Sequence, residues 1–210
     1  MIYRIAKPSD YKKIADLHYK VRNTYSVGYF SQMGRAFLRE YYRIILNDPY
    51  EIVVCAETDD GAIVGLNSAT IDVKKQFERM RRYKWRLAIF AIPSFIKKPS
   101  LIRKTWERFK ATKGDDSEKY IPNDGARNEY WTWDAKVKDP LSSVQFSSIM
   151  PKIQYALGVK EVIGEVDEVN DKVLKFNLKT GHELVRRVKL PDGRTRLILR
   201  LDLEKKFASK

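Results

Sequence analysis

Few side chains in this sequence have the type and spacing to do chemistry. Glu129 and Asp134 lie in Glu129-Tyr-Trp-Thr-Trp-Asp-Ala-Lys-Val137, which alternates as a strand; Glu165 and Asp167 lie in and just beyond the β-branched run from Val159 to Val166. Side chains alternate along a strand, so Glu165 and Asp167 share a face, as do Trp131 and Trp133. A carboxylate so placed can take up and return a proton, or be an ordinary surface residue of a strand. His18 is a further candidate base. It falls one helical turn after Ile14 on an apolar side, where a packed, hydrogen-bonded histidine is expected. Cys55, the only cysteine, sits inside Ile52-Val-Val-Cys-Ala56 and reads as a small buried residue rather than a reactive thiol. There is no Ser/His/Asp set, no CxxC pair and no cluster of metal-ligand spacing, so no metal is expected.

These residues must be positioned by alternating strands and helices. Tyr3–Ala6 reads as a strand, with Ser9 or Asp10 capping a helix that carries Ile14, Leu17 and Val21. Arg22–Phe30 is a loop dense in Tyr and Asn; Ser31 is the expected cap of a second helix, stopped by Asn47-Asp-Pro49. A hairpin follows, Glu51–Glu57 and Ala62–Ile71 around Asp59-Asp-Gly61. Near the other end, Asn170 and Asp171 open a helix with Val173 and Phe176 on one face, and Gly181 closes it. Glu183–Leu190 and Thr195–Leu203 are two strands joined by Pro191-Asp-Gly-Arg194.

The order strand, Asn-capped helix, Gly, strand pair resembles the end of the GNAT superfamily of acyl-CoA-dependent N-acetyltransferases. Val166, Asn170, Val173, Phe176 and Gly181 match its V-x-x-x-N-x-x-A-x-x-L-Y-x-x-x-G-F pattern in spacing; Asn177 stands where the family has Tyr, and His182 where it has Phe. The opening strand, Pro8-Ser-Asp10 and helix resemble the family's start, and Ile63-Val-Gly65 its V-V-G-F strand. The resemblance covers residues 1–71 and 129–203. It implies an α/β fold, a mixed and mostly antiparallel sheet of about seven strands with helices on both faces. The organisation expected is a single domain over 1–203, with 73–128 a basic helical insertion and 204–210 a tail.

The resemblance also implies a reaction: transfer of an acyl group, most simply acetyl from the co-substrate acetyl-CoA, to an amine, with an amino sugar or another polysaccharide precursor as the acceptor it suggests. In the family the fourth and fifth strands splay apart, and backbone groups of the fourth hold the pantetheine arm. By this analogy Ala135, Lys136 and Val137 would bind cofactor through their backbone, with Ser142, Ser143 and Asn170. Tyr25, Tyr29 and Phe30 would contact the acceptor. Glu129, Asp134 and Glu165 are candidate catalytic bases, and Asn177, which cannot donate a proton usefully, could hydrogen-bond the thioester sulfur. The family's glycine-rich pyrophosphate loop is replaced by Pro140-Leu-Ser-Ser-Val-Gln-Phe-Ser-Ser-Ile-Met-Pro151, with no glycine and no basic residue. Pro151 suits the first turn of a helix, which would then begin near Ser147 with Ile149, Ile153 and Leu157 inward. Because two signatures are altered, a catalytically inactive binding or scaffold protein of the same fold is the alternative.

Composition adds one asymmetry. The net charge is +14, but fourteen Lys or Arg fall between Lys74 and Lys113 against Glu78 and Glu107, so that segment alone carries +12. It reads as a basic helix over Lys74–Arg86, an uncharged apolar run Leu87–Ile96 interrupted by Pro93, and a second basic piece over Leu101–Lys110, with 114–127 a polar loop. Three readings stay open. The segment is a lid packing Trp85, Phe90, Phe95 and Trp106 on the domain; or a pair of interfacial helices on anionic lipid; or a nucleic-acid surface, which has the charge but no recognisable module. The lone cysteine and the lack of a long apolar stretch lead to an expectation of a reducing, cytoplasmic compartment, with peripheral contact to the inner face of a membrane as an option.

Overall fold

The computed structural model of the chain describes every residue except 26–27, 112–123, 191 and 209–210, and for 24, 25, 31 and 108–111 the backbone alone. The strands are β1 (Ile2–Ile5), β2 (Glu51–Glu57), β3 (Ile63–Thr70), β4 (Ala126–Trp133), β5 (Glu161–Asp167), β6 (Glu183–Lys189) and β7 (Thr195–Asp202). They form one seven-stranded sheet in the order β1-β2-β3-β4-β5-β7-β6. All neighbours pair antiparallel except β4 and β5, which are parallel.

The helices are α1 (Tyr11–Val21), α2 (Arg35–Ile45), α3 (Val73–Arg82), α4 (Lys84–Lys97), α5 (Ser100–Ala111), α6 (Pro140–Ser147), α7 (Ile149–Ala156), α8 (Asp171–Lys179) and the short α9 (Leu203–Phe207). β2 is buried on both faces because alternation serves two cores. Val53 and Cys55 pack with Ile14, Leu38 and Tyr42 of α1 and α2, whereas Ile52, Val54 and Ala56 pack with Phe146 and Met150 of α6 and α7. Burial pushes the Cys55 thiol up to about 12, so it stays protonated. α8 ends in a Schellman motif. The His182 N–H donates to the Asn177 carbonyl at 3.0 Å and the Gly181 N–H to that of Leu178 at 3.2 Å, with Gly181 at φ +99°.

Several expectations need correction. β4 stops at Trp133, four residues before Val137, because Asp134 folds the chain into a turn. The second helix is capped by Gly34, not Ser31, which lies in a 3-10 turn over Phe30–Gln32. The helix expected from Ser147 begins at Pro140 and breaks at Ser148; Pro151 is in the first turn of α7, Ile149 and Ile153 pack inward, and Leu157 is exposed. α4 runs through Pro93. A proline costs a helix one N–H bond and a local fit, and the ring here is at an exposed position. The expected tail holds most of α9, which starts at the buried Leu203 and whose Phe207 packs against the cluster of Ala126, Val162 and Leu201 and meets the Tyr155 ring at 5.2 Å. Most of the loop expected over 114–127, and the Pro191 of the final turn, lie outside the described residues.

The segment 73–111 is built on the domain by its polar and small residues. The Gln76 side chain is buried under β2 and β4, Arg79 pairs with Asp48 at 3.3 Å, and Arg86 pairs with Glu40 of α2. Ser94 Oγ accepts the Gly34 N–H at 2.9 Å, which closes the N-terminus of α2, and Leu87, Ala91, Phe95 and Leu101 pack in the α1–α2 core. Trp85 and Trp106 do not pack down as a lid would require; both are exposed.

Candidate functional site

The site is built where β4 leaves β5. The two strands pair only at Ala126↔Val162 and Arg127↔Ile163; beyond that they part. β4 keeps its pairing with β3 to the end, through a bulge in which Glu129 is the extra residue between Asn128↔Ala69 and Tyr130↔Ser68. The Asp134 N–H donates to the Val64 carbonyl at 2.8 Å. By alternation from that bond, Trp131 and Trp133 turn their backbone N–H and C=O toward β5, where no strand receives them. A widening slot with an unpaired strand edge results. At its closed end the Gln154 amide of α7, fully buried, donates to Asn128 Oδ1 at 3.1 Å.

Glu129 lies on the α1–α2 face, two residues on from Arg127. There its Oε1 accepts Arg127 Nη2 at 2.7 Å and Gln76 Nε2 at 2.6 Å, while its Oε2 faces the Tyr41 hydroxyl at 3.5 Å. Arg127 Nη2 also donates to Gln76 Oε1 at 2.8 Å. Gln76 reaches on to Glu51. Burial and the nearby Glu129 carboxylate push the Glu51 carboxyl well above the usual carboxylate range. Burial works against the Arg127 charge, but Glu129 and Glu165 outweigh it and the guanidinium titrates above its ordinary value. Arg127 is therefore the fixed cation of a dry carboxylate cluster that spans β2, α3 and β4.

Phe30 packs on Tyr41 with the rings tilted by 48° and their centroids 4.6 Å apart. Tyr29 lies edge-on to Phe30 and shares a hydrogen bond of 3.0 Å with Thr105 of α5. Tyr25 ends a 3-10 turn over Arg22–Tyr25, and its side chain is outside the described set. Among the expected acceptor residues, Tyr29 and Phe30 thus reach the Glu129 cluster through Tyr41.

The other candidate carboxylates have different work. Asp134 is buried in the turn after β4. Burial would raise its carboxyl, yet hydrogen bonds from the Lys20 ammonium and the Lys136 N–H prevail and hold it below the usual range. Glu165 accepts Arg196 Nη1 at 2.7 Å, and Asp167 is bound by Arg194 and Arg196 at 2.5 and 3.1 Å, a ladder of ion pairs across β5 and β7. Asp134 has both oxygens taken, by Lys20 and by the Lys136 N–H, whereas Glu165 is tied to Arg196 through Oε2.

The expected cofactor residues lie in a turn and at two helix ends. Ala135, Lys136 and Val137 form a turn, and the Lys136 and Val137 N–H groups donate to Asp134, to its Oδ1 at 3.1 Å and its carbonyl at 2.9 Å. They are not strand groups turned to the slot. At the N-terminus of α6 the Asp139 carboxylate caps the helix, taking the Ser142 N–H at 2.9 Å, and the Asp139 carbonyl takes the Ser143 N–H at 3.1 Å. Ser143 Oγ donates to the Pro140 carbonyl. A carboxylate therefore already takes the Ser142 N–H that an anionic phosphate would use. Asn170 stands at the N-cap of α8 but makes no capping bond, and Asn177 Nδ2 donates back to the Val173 carbonyl at 3.0 Å instead of reaching toward the slot. The residues present suit an extended arm along β4 and do not suit a pyrophosphate on α6.

His18 is the packed histidine its spacing suggests. It is buried, stacked on Tyr130 with centroids 3.8 Å apart, and its Nδ1 meets the Tyr42 hydroxyl at 2.6 Å. Burial lowers it from 6.5 to about 3. Below pH 6.5 the unfolded chain gains a proton that the folded chain refuses. Its contribution to stability is thus whole above pH 6.5 and lost progressively down to about pH 3, by about 1.4 kcal/mol per pH unit. The expected result is that His18→Gln flattens the pH dependence of the urea midpoint across this window relative to the parent.

Arg127, Glu51, Gln76 and Tyr41 escaped the sequence reading. The one local hint was a charge at the start of a strand, Glu51 opening Glu51-Ile-Val-Val54 and Arg127 as the second residue of β4. Among the described residues there is no group of His, Cys, Asp and Glu that could hold a metal ion, and no helix long and apolar enough to cross a membrane.

Comparison with known structures gives the fold a name. A GNAT-family acetyltransferase from Streptococcus pneumoniae superposes with a TM-score of 0.57 at 9% identity, over 95% of this chain and 96% of that one. A variant of the spermidine N-acetyltransferase SpeG from Vibrio cholerae superposes at 0.58 with 11% identity, over the whole of both chains. An aminoglycoside 6'-N-acetyltransferase complexed with coenzyme A superposes at 0.56 with 13% identity, over 97% of each. No protein-family model and no curated protein matches the sequence. The chain has the GNAT fold.

Proposed function

We propose that this protein is an acyl-CoA-dependent N-acyltransferase that moves an acetyl group from acetyl-CoA to an amine. The observation that carries the reading is the parting of β4 from β5 after Arg127↔Ile163. An extended pantetheine arm can add to the free edge of β4 as a strand would, using the N–H and C=O of Trp131 and Trp133. The thioester, when bound, supplies an activated acyl carbon. At the closed end of the slot Glu129 is the base we favour: Oε2, with Tyr41 beside it, receives the proton that an ammonium must lose before its nitrogen can attack. Arg127 and Gln76 hold the carboxylate by its other oxygen and fix its direction. Asp134 and Glu165 drop out of the catalytic set on this reading, and Asn177 has no part in protonating the leaving sulfur.

For the acceptor we favour an amine on a sugar, such as a polysaccharide precursor. The neighbours named above act on spermidine and an aminoglycoside, both amines, and the Tyr29–Phe30 wall offers the aromatic face on which the apolar side of a sugar ring packs. The phosphates would find charge on the exposed Lys136 and Lys138 of the turn rather than on α6.

A second reading is favoured by Asp139: a protein of this fold that binds without catalysing, because a carboxylate already occupies the helix terminus. Thermal shift with CoA separates the two. CoA at 100 times its dissociation constant stabilises by about 2.7 kcal/mol, a rise of roughly 5–10 °C for a chain of this size. Asp139→Asn, which removes the competing charge and keeps the cap, is expected to bind CoA more tightly than the parent. If neither protein shifts with CoA or acetyl-CoA, the transferase reading fails and the binding protein stands.

A further inference from the structure

The face of α4 turned away from the domain is apolar. Trp85, Ile89, Ile92 and Ile96 are 74%, 64%, 50% and 75% exposed. At 100° per residue they fall within about 60° of arc, opposite the face where Ala91 and Ser94 are buried against α2. A helix docked this firmly on one side, by Ser94 on the Gly34 N–H and Arg86 on Glu40, has no route to fold the stripe inward. Ile102 of α5, 56% exposed, is a further large apolar side chain left outward on the neighbouring helix. Four large side chains in one row exceed the scattered apolar exposure normal for a soluble surface.

Charge says what covers them. Arg81, Arg82 and Lys84 precede the stripe, Lys97 and Lys98 follow it, and none of the five makes an ion pair among the described residues. Between these two groups, Leu87–Ile96 carries no charge at all. Lys84 Nζ lies 5.5 Å from the centre of the Trp85 ring, an arrangement at home in the headgroup zone. The 14 residues of α4 span about 21 Å, short of the ~30 Å needed to cross a hydrocarbon core. An apolar row with cations at both ends and a length too short to span matches a helix lying in the plane of an anionic bilayer surface.

We propose that α4 is a membrane-docking element that lays Trp85, Ile89, Ile92 and Ile96 into the headgroup–acyl boundary of an anionic lipid surface, with Arg81, Arg82, Lys84, Lys97 and Lys98 on the phosphates. The proposal stands whether or not the chain transfers an acyl group. Tyr29, through Thr105 of α5, ties the acceptor wall to this same helical segment, so docking would hold that wall close to the lipid surface.

Co-sedimentation of the full chain tests it, with vesicles of phosphatidylcholine plus phosphatidylglycerol against vesicles of phosphatidylcholine alone. Binding is expected to the mixed vesicles, weaker to the neutral ones, and to fall as salt rises. The double variant Ile89→Asp and Ile92→Asp should lose at least about tenfold in partitioning at every salt concentration. Both positions are exposed, so its melting temperature should match the parent. Four results would overturn the proposal. One is a parent that ignores the mixed vesicles. Another is a double variant that binds as well as the parent. The third is a parent dimer in light scattering that the double variant dissolves while neither binds vesicles, which makes the stripe a self-association face. Binding to duplex DNA without vesicle binding counts against it equally.

Discussion

Glu129→Gln is expected to lower kcat by about 10²–10⁴-fold, the range that loss of a positioned base commands. Release of CoA from acetyl-CoA with glucosamine as acceptor measures it. The substitution is close to isosteric. The amide carbonyl can still accept from Arg127 and Gln76 at the Oε1 position, so the fold and the fit for the acyl donor should persist. What vanishes is the oxygen beside Tyr41 that could carry a proton. Asp134→Asn is the matched control. Its carboxylate is held by Lys20 and caps its own turn, so turnover should fall by no more than a few-fold while stability drops. If Asp134→Asn abolishes turnover and Glu129→Gln does not, the base has been assigned to the wrong end of β4.

The second large effect is on stability. Arg127→Leu removes the one cation that faces Glu129 and Gln76 at the closed end of the slot, leaving a buried carboxylate without its partner. Breaking a buried pair on one side costs about 3–5 kcal/mol, which lowers the melting temperature by roughly 10 °C in a chain of this length. Arg127→Lys should recover only part of this, since one guanidinium nitrogen serves two acceptors at 2.7 and 2.8 Å and a lysine stem cannot present its ammonium in that fork. Added to Glu129→Gln, Arg127→Leu should cost less than on its own, because the uncompensated charge is then gone. A full loss in both backgrounds would mean that Arg127 acts through packing, for instance against the Phe77 ring 5.5 Å away, rather than through charge.

The slot and the cluster explain each other. β4 leaves β5 after Arg127 and is bulged at Glu129; Arg127 and Glu129 share a face by alternation, and the bulge brings Tyr130 onto that same face. Gln76 closes the arrangement from α3, so the helical segment between β3 and β4 is a wall of the candidate site as well as the bearer of the exposed stripe.

What the sequence determined by itself is whatever depends on neighbours within a few residues. β2 was legible at both ends, and the helix between Asn170 and Gly181 was legible because a cap, an acidic first turn and a left-handed glycine are local devices. The order of elements, and with it the GNAT fold, followed from such signals in series. Tertiary structure alone decided where β4 ends, since an unbroken alternating pattern runs past Trp133 and only the Asp134 bonds to Val64, Lys20 and Lys136 turn the chain there. It also decided what each carboxylate pairs with. Glu129, Asp134 and Glu165 look alike in sequence, and their difference lies in partners 2 to 114 residues away. The sense of α4 was undecided for the same reason: a run of apolar residues states that burial is favourable, and only the packed face of the helix leaves one side still to be covered.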